Sequence, residues 1–280
     1  ESMAGTESMA GTENMAGTES MAGADMMINV DAPCNESDNG CPAIEWVRLQ
    51  GDTFSMGSNT GEIDEQPTHQ VAVETFYMMK SEITVRMYRA CVDAGACSEL
   101  STFSSACTWT SAASSKEDYP ANCSTWFQMR DFAAWVGARL PSEAEWEFAA
   151  RGGARDVSYP WGNEVPTCEH TNFRGCEEGT TTVCSHPLGN TLQGLCDMSG
   201  NVWEWVDDEY HNDYLNAPAN GEAWCSTPNC AAEMVQNPFR VMRGGYWSGE
   251  INFLRVSYRN SGSPVVDFGF RGGRLARSIQ

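Results

Sequence analysis

The chain has 280 residues, of which 38 are acidic and 17 are basic, and its formal net charge is −21. A surface of this sign repels nucleic-acid phosphates and anionic lipids, so we exclude nucleic acid and anionic membrane surfaces as partners. No stretch reaches the roughly 18 apolar residues that a membrane-spanning helix needs. The length is enough for one large domain or two small ones, with a sizeable core in either case.

The twelve cysteines form six pairs that are close in the sequence. An even number at short separations predicts disulfides, which form in an oxidising compartment, so we expect an extracellular, cell-surface or periplasmic protein. Zinc binding is the alternative, but no Cys-x-x-Cys pair is present. Sequence alone does not fix the connectivity. Pairing between neighbours would join Cys34 with Cys41, Cys91 with Cys97, Cys107 with Cys123, Cys168 with Cys176, Cys184 with Cys196, and Cys225 with Cys230.

The chain divides into three predicted segments. Residues 1–24 repeat a hexapeptide four times, first as ESMAGT, and one Met per repeat cannot build a core. This composition predicts a flexible, acidic spacer, although the repeats could instead order against a neighbouring molecule. Residues 25–43 are predicted to be a disulfide-stapled lead-in, and residues 44–280 the folded domain. The chain begins with Glu and carries no signal peptide, so we expect a processed form, compatible with a lipid tether upstream of residue 1.

The folded domain opens with short predicted strands. Residues 46–49 and 53–57 flank a turn at 50–52, and the alternating pattern of residues 70–77 predicts a third strand. Strand signals return near the end of the chain, and the last recognisable strands cover residues 240–243, 254–259 and 268–271.

Three helices are predicted from their capping residues. Thr84 and Thr125 stand immediately before two apolar-periodic stretches, as N-caps do. Ser142 and Glu145 form a capping box at the start of the third helix, and Gly152 suits a left-handed C-cap. Regular structure is otherwise sparse, which predicts an α+β domain with long loops held by cross-links or ions.

A Gly-Asn turn at 200–201 is followed by a glutamate between two tryptophans. A carboxylate between large buried indoles needs a partner, because burying an unpaired charge is very costly. Asn201, Glu204 and the carbonyl of Val202 form an all-oxygen set of the kind that binds Ca²⁺. The alternative is that Asn201 only makes the turn and Glu204 forms an ion pair with an arginine.

The order of the motifs resembles the formylglycine-generating, sulfatase-modifying factor type of domain over about residues 44–277. The resemblance implies a C-type-lectin-like α+β fold with little regular secondary structure and with structural Ca²⁺. The matching motifs are FSMG at 54–57, EQPTH at 65–69, RLPSEAEWE at 139–147, YPWGN at 159–163, GL at 194–195, GNVWEW at 200–205, RGGYW at 243–247 and GFR at 269–271.

Family members that generate formylglycine carry two cysteines, four and nine residues after the second glycine of the Arg-Gly-Gly motif, as copper ligands. The corresponding residues here are Gly249 and Leu254, and no cysteine follows Cys230. A soft Cu(I) site cannot form there without thiolates. We therefore expect neither formylglycine-generating activity nor a copper cofactor.

A second enzymatic branch resembles the ergothioneine-pathway sulfoxide synthases, which are non-haem iron enzymes that need three histidines. The four histidines of this chain are not paired at helical spacing, and the extra helical domain of those enzymes has no counterpart. We do not expect this activity. The four residues are His69, His170, His186 and His211.

A third branch is non-catalytic, and there the residues after Arg-Gly-Gly form an exposed, variable binding face. Aromatic and small polar residues occupy the equivalent stretch, as in adaptable recognition surfaces. The alternative is ordinary packing, with Trp247 and Phe253 in the core. The residues implied are Tyr246, Trp247, Ser248, Glu250, Asn252, Phe253, Asn260, Ser261, Ser263 and Asp267.

The resemblance also implies two calcium sites. The first would use Asn201, the Val202 carbonyl and Glu204, with Asp207 or Asp208. The second departs from the family in its spacing, and its members would be Asn172, the Phe173 carbonyl and Glu177 or Glu178.

The sequence therefore predicts a non-catalytic binding or assembly module, stabilised by Ca²⁺ and disulfides. Its partner would be a protein or glycan ligand, or neighbouring copies of itself. Two alternatives stay open. One is a metal-dependent oxidoreductase of the family with a different metal site, and the other is a self-assembling surface subunit that docks through its repeat arm.

Overall fold

A computed structural model describes residues 34, 40–226, 230 and 239–279 of the chain. The predicted repeat spacer and most of the lead-in lie outside the described residues. Within these ranges no helix is both long enough and apolar enough to cross a membrane.

Three short helices begin directly after their predicted capping residues. Helix α1 spans Val85–Asp93, and the Thr84 hydroxyl accepts a hydrogen bond from the Met87 N–H at its start. Helices α2 (Trp126–Trp135) and α3 (Glu143–Ala150) both start with complete capping boxes. The predicted helix starts are therefore confirmed, because side-chain caps satisfy backbone N–H groups that have no partner inside the helix.

Nine strands form three small sheets in the described part of the chain, with the orders β1-β4-β9, β2-β3 and β7-β6-β5-β8. All strand pairs are antiparallel except β5 with β8. The strands are β1 Trp46–Leu49, β2 Asp52–Met56, β3 His69–Val73, β4 Phe76–Met79, β5 Trp203–Glu209, β6 Arg240–Arg243, β7 Arg259–Gly262, β8 Arg271–Gly272 and β9 Ala276–Ser278.

The single strand predicted over residues 70–77 is wrong, because it is two strands that belong to different sheets. Strand β3 pairs with β2, whereas β4 pairs with β1. Between β3 and β4 the chain passes from one sheet to the other, and Gly51 packs against its backbone at this point. A Cβ atom on Gly51 would lie 2.4 Å from the Val73 carbonyl oxygen, and the Gly51 N–H donates to the Thr75 hydroxyl at 3.1 Å.

Two further strand predictions are wrong in their extents. Residues 251–254 form a 3₁₀ turn rather than the start of a strand, and β7 begins only at Arg259. Of residues 268–271, only the last is in a strand, because the Arg271 N–H donates to the Phe268 carbonyl at 3.1 Å and closes a turn. Alternating apolar residues in these segments serve packed loops instead of a pleated sheet.

Strand β5 has no alternating pattern, and the sequence did not predict it. All of its residues except Asp207 are buried, because β6 and β8 flank it and other elements cover it. Its tryptophans Trp203 and Trp205 join one core cluster with helices α1 and α2. A second cluster surrounds Trp146 and Phe148 of helix α3. Strand β5 therefore lies at the centre of the fold.

The structure pairs all twelve cysteines with their sequence neighbours, at Cα–Cα distances of 5.1–5.7 Å. This is the pairing that the spacing favoured. The first disulfide also ties the lead-in to the domain, since the Cys34 N–H donates to the Trp135 carbonyl at 2.6 Å.

Candidate functional site

Glu204 at the start of β5 is fully buried and takes part in an ion pair. Its two oxygens accept hydrogen bonds from Arg274 at 2.6 and 2.7 Å, and the Trp146 indole N–H donates to it at 2.7 Å. The carboxylate is therefore already satisfied by side chains. This is the arginine-pairing interpretation that the sequence left open.

The other predicted ligands of the first calcium site do not converge on Glu204. The Asn201 amide oxygen accepts the Thr181 N–H at 2.9 Å, and its amide nitrogen donates to Glu82 at 3.0 Å. Val202 is buried beside it. Asp207, the further ligand suggested for this site, lines a cavity that includes none of Asn201, Val202 and Glu204.

That cavity has a volume of about 800 Å³ and is lined by Asp207, Arg139 and Glu145 among others. Burial raises the pKa of Asp207 to about 6, although nearby Arg240 and Arg139 lower it. Asp208 is not a ligand either. Its two oxygens accept the backbone N–H groups of Glu143 at 2.7 Å and Trp224 at 2.8 Å, so it fixes the start of α3.

An acidic pocket that the sequence analysis missed lies beside Asn201. Glu82 is fully buried, and its Oε2 atom has no hydrogen-bond partner in the part of the chain that the structure describes. Burial raises the pKa of Glu82 well above its usual range, and the carboxylates of Asp197 and Glu204 raise it further. Burial also raises the pKa of Asp197. The Glu82 carboxyl therefore keeps its proton to a higher pH than usual, in a pocket that it shares with Asp197.

The second predicted calcium site also has an unpaired oxygen. Asn172 is buried, its amide nitrogen donates to the Gly179 carbonyl at 2.8 Å, and its Oδ1 atom has no partner among the described residues. Phe173 beside it is half-buried. Glu177 and Glu178 are both exposed. One oxygen of the predicted set is thus buried without a donor.

The two positions that hold cysteines in the oxidase branch of the family are filled. Leu254 is fully buried. A Cβ atom on Gly249 would lie 3.0 Å from the Tyr246 ring and 3.1 Å from the Phe253 ring. Aromatic side chains therefore occupy the space next to Gly249, and an aliphatic side chain fills the second position.

These rings belong to a cluster that surrounds Trp203. The ring centroids of Tyr246, Phe253 and Tyr258 lie 6.1, 5.9 and 6.1 Å from that of Trp203. The ring centroid of Phe270 lies 4.7 Å from that of Tyr246, and the ring of Phe268 stacks on Phe270 with their centroids 5.5 Å apart. Five of these six rings are half-buried or exposed, and we call them the aromatic face: Tyr246, Phe253, Tyr258, Phe268 and Phe270.

The predicted binding-face residues are neither all core nor all surface. Glu250 and Asn252 are exposed, and Glu250 forms an ion pair with Arg174. Trp247 buries its indole N–H, which has no acceptor within the described ranges. The half-buried members are Tyr246, Trp247, Ser248, Phe253, Asn260, Ser261, Ser263 and Asp267.

Three of the four histidines pack against aromatic rings instead of meeting one another. His69 contacts Tyr214, His170 stacks on Trp161, and His211 stacks on Trp224. Within the described ranges, the only three-residue cluster with metal-ligand spacing is Cys184, Cys196 and Asp197, and its sulfurs form a disulfide.

Comparison with known proteins places this geometry in a family. A model of the sulfatase-modifying factor enzyme 1-like domain matches residues 33–279. The serine/threonine-protein kinase pkn1 of Chlamydia pneumoniae is 30% identical over 246 residues, which are 84% of this chain and 38% of that protein. The hercynine oxygenase of Mycobacterium tuberculosis is 36% identical over 172 residues, 58% of this chain and 37% of that protein.

Among solved structures, PvdO from Pseudomonas aeruginosa superimposes with a TM-score of 0.72 at 28% identity, over 86% of this chain and 97% of that one. The chain spans about 38% of the length of the kinases it matches. The match to the family model nevertheless covers nearly all of the described residues. The chain belongs to the sulfatase-modifying factor enzyme 1-like family.

Proposed function

We propose that this chain is a non-catalytic binding module built on a sulfatase-modifying factor scaffold. One observation carries the proposal: the positions of the oxidase thiols are Gly249 and Leu254, and aromatic rings fill the space beside Gly249 while Leu254 is buried. A Cu(I) site needs soft sulfur ligands, and all cysteines of this chain are in disulfides. The rings of Tyr246 and Phe253 beside Gly249 are half-buried, so part of each faces the surface.

The partner that best suits this surface is a protein. Rigid aromatic side chains give large contact areas at low cost in conformational entropy, and small polar residues around them adapt to the partner. Ser248, Asn252 and Asn260 are such residues on this face. A glycan, or a neighbouring copy of the chain, would use the same surface.

The enzymatic alternative has less support. The relative named as a hercynine oxygenase matches only part of this chain, and a non-haem iron site needs ligands that converge. Here His69, His170 and His211 are each engaged with a different aromatic ring. A metal-dependent oxidoreductase would therefore have to assemble its site from other side chains.

We also propose that the domain binds Ca²⁺ as a structural ion. A hard cation prefers oxygen ligands, and buried oxygens without donors are what such an ion would satisfy. Three oxygens of this kind occur in the described part of the chain, Glu82 Oε2, Asn172 Oδ1 and Asn190 Oδ1, and the first two lie at the residues discussed above. The ion would thus be held beside Asn201 through Glu82 and Asp197, not through the Glu204 carboxylate that Arg274 already pairs.

The compartment that we propose is extracellular or periplasmic, because disulfides persist in oxidising environments. Residues 1–24 would then act as a spacer that holds the domain away from a surface. Removal of residues 1–24 tests the assembly alternative by solution mass. An unchanged mass supports the spacer, whereas loss of an oligomer would support docking by the repeat arm.

A turnover assay tests the non-catalytic proposal. The purified chain is loaded with copper, mixed with a cysteine peptide of the kind that sulfatases present, and oxygen uptake is recorded. We expect no uptake above that of copper alone, while an active formylglycine-generating enzyme serves as the positive control. Oxygen uptake with conversion of the peptide cysteine would overturn the proposal.

A further inference from the structure

Most buried arginines of this domain have a carboxylate partner. Arg274 pairs with Glu204 at 2.6 Å, Arg259 with Glu143 at 2.7 Å, and Arg151 with Glu147 at 2.8 Å. Such pairing is expected, because an ionised group without a counter-charge is expensive to remove from water.

Two arginines need closer comparison. Arg243 leaves its Nε–H without an acceptor, but Glu147 and Glu143 lie within 2.5 and 3.5 Å of its terminal nitrogens. Arg240 has no ion pair at this distance in the described part of the chain. It donates to the carbonyls of Asp207 and Cys230, with carboxylates of three residues nearby.

Arg271 has neither the close carboxylates of Arg243 nor the several nearby carboxylates of Arg240. Its side chain is 7% exposed, its Nε–H has no acceptor, and no described carboxylate oxygen lies within 4.0 Å of its nitrogens. Its one hydrogen bond goes to the Val266 carbonyl at 2.8 Å. Burial lowers the pKa of Arg271 to about 10, and only the more distant Asp267 opposes this.

The rest of the guanidinium surroundings are aromatic and close to the surface. The Arg271 side chain lies over the rings of Trp205 and Phe268, at 5.1 and 4.6 Å. Two residues that contact it are themselves exposed: Val266, whose carbonyl accepts its hydrogen bond, by 37%, and Phe268 by 40%. Val265, next to Val266 in the chain, is exposed by 51%. An unpaired cation therefore lies at the edge of the surface, among apolar residues.

We propose that Arg271 anchors a carboxylate of the partner, and that the apolar rim formed by Val265, Val266 and Phe268 receives an aliphatic side chain next to that carboxylate. This inference rests on the proposed binding role of the aromatic face, to which Phe268 belongs. A bound carboxylate supplies the counter-charge that the fold omits, and arginine is the side chain best suited to hold it in two parallel hydrogen bonds.

The chemistry of the site favours a carboxylate over other anions. The chain carries a net charge of −21, so a single charge meets less repulsion than the two charges of a phosphate. The apolar rim gains from an aliphatic neighbour, which inorganic phosphate lacks. An acidic side chain or a chain terminus beside a leucine-like residue meets both conditions.

The experiment uses N-acetyl-leucine as the probe and N-acetyl-leucinamide as its uncharged match. The readout is the Arg271 Nε–H resonance in ¹H–¹⁵N NMR spectra of the full chain, assigned through its side-chain correlations to the Arg271 backbone. We expect a saturable shift with the carboxylate, none with the amide, and little with inorganic phosphate. In the variants, the Trp205 indole resonance reports binding of the probe. R271Q should weaken the affinity for N-acetyl-leucine about tenfold or more, and R271K should restore part of it.

The matched control is R89Q. Arg89 also lies over an indole, at 4.5 Å from Trp109, but Glu117 pairs with it at 2.8 Å, so its loss should leave probe binding unchanged. A shift that is absent, equal for the amide, equal for phosphate, or unaffected by R271Q would overturn the inference. The first three comparisons need only the native chain if R271Q does not fold. None of these results bears on the copper turnover assay, so the two proposals fail separately.

Discussion

Two polar regions are buried on either side of Glu204, and they differ in how their charges are matched. Around helix α3, Glu143 and Glu147 meet Arg243, Arg259 and Arg151 at 2.5–2.8 Å. Toward the predicted calcium sites, two buried oxygens lack donors among the described residues. The unpaired atoms there are Glu82 Oε2 and Asn172 Oδ1.

The two regions differ in whether the fold itself supplies the hydrogen-bond and charge partners of their buried groups. A matched network costs little beyond desolvation, and its value lies in fixing how the elements meet. An unmatched buried group destabilises the chain unless an ion or partner supplies what is missing. On this basis we propose Glu82, Asn172 and Arg271 as ligand-binding positions, whereas Glu204 and Arg274 satisfy each other within the fold.

The largest expected effect is on the matched side. Arg243→Met leaves Glu147 without its closest partner in the core and should lower the free energy of unfolding by about 3–5 kcal/mol. Urea denaturation measures this change. The control is Lys80→Met, which removes a surface pair with Glu45 and should cost about 1 kcal/mol or less. Similar losses in the two variants would contradict the matched-network interpretation.

The unmatched side should respond to calcium. At a free Ca²⁺ concentration about 100-fold above its Kd, the free energy of unfolding should rise by about 2.7 kcal/mol. Glu82→Gln should remove most of that increment while leaving the calcium-free protein nearly unchanged, because the amide oxygen of Gln can still accept the hydrogen bond from Asn201. Glu99→Gln, at an exposed position, is the control. Equal calcium responses in the native chain, Glu82→Gln and Glu99→Gln would contradict the proposed calcium site.

Raising the pH should destabilise the fold between about pH 4 and pH 8. Burial raises the pKa of Asp207 to about 6 and that of Asp208 to about 8, from 3.8, so each native carboxyl keeps a proton that the unfolded chain releases. Stability present at low pH is therefore lost as pH rises through these values, by up to about 1.4 kcal/mol per pH unit for each group. Asp208→Asn should flatten the upper part of this slope. Asp118→Asn, at an exposed position, should not.

The smallest effect tests whether the former thiol position is filled. Gly249→Ala adds a Cβ atom 3.0 Å from the Tyr246 ring and should cost about 1 kcal/mol by overpacking. Gly179→Ala is the matched control, because nothing lies within 4 Å of a Cβ atom there. If Gly249→Ala costs no more stability than Gly179→Ala, the space beside Gly249 is open instead of filled.

Local signals in the sequence predicted part of this molecule. The helix starts followed from Thr84, Thr125 and Ser142, because a cap is made within four residues. The strands followed less well, since residues 70–77 alternate without a break although the chain changes sheets at Glu74 and Thr75. Strand β5 gave no signal, because it is buried on both faces and four of its seven residues are acidic, so apolar residues do not alternate along it.

The site could be predicted only where its residues are close in sequence. The Gly-Asn turn at 200–201 was visible, but its partner Glu82 is 119 residues away. The choice between calcium and an arginine at Glu204 depended on Arg274, 70 residues later. An unpaired group such as Arg271 cannot be recognised without coordinates, because it is defined by which atoms are absent around it.

A competition titration for Cu(I) against a coloured chelator tests the central claim most directly, because the proposed loss of function is a loss of sulfur ligands. The account predicts that the chain takes no copper from the chelator. One Cu(I) retained per chain, with quenching of the fluorescence of Trp247 beside Gly249, would contradict it and make the protein an oxidase.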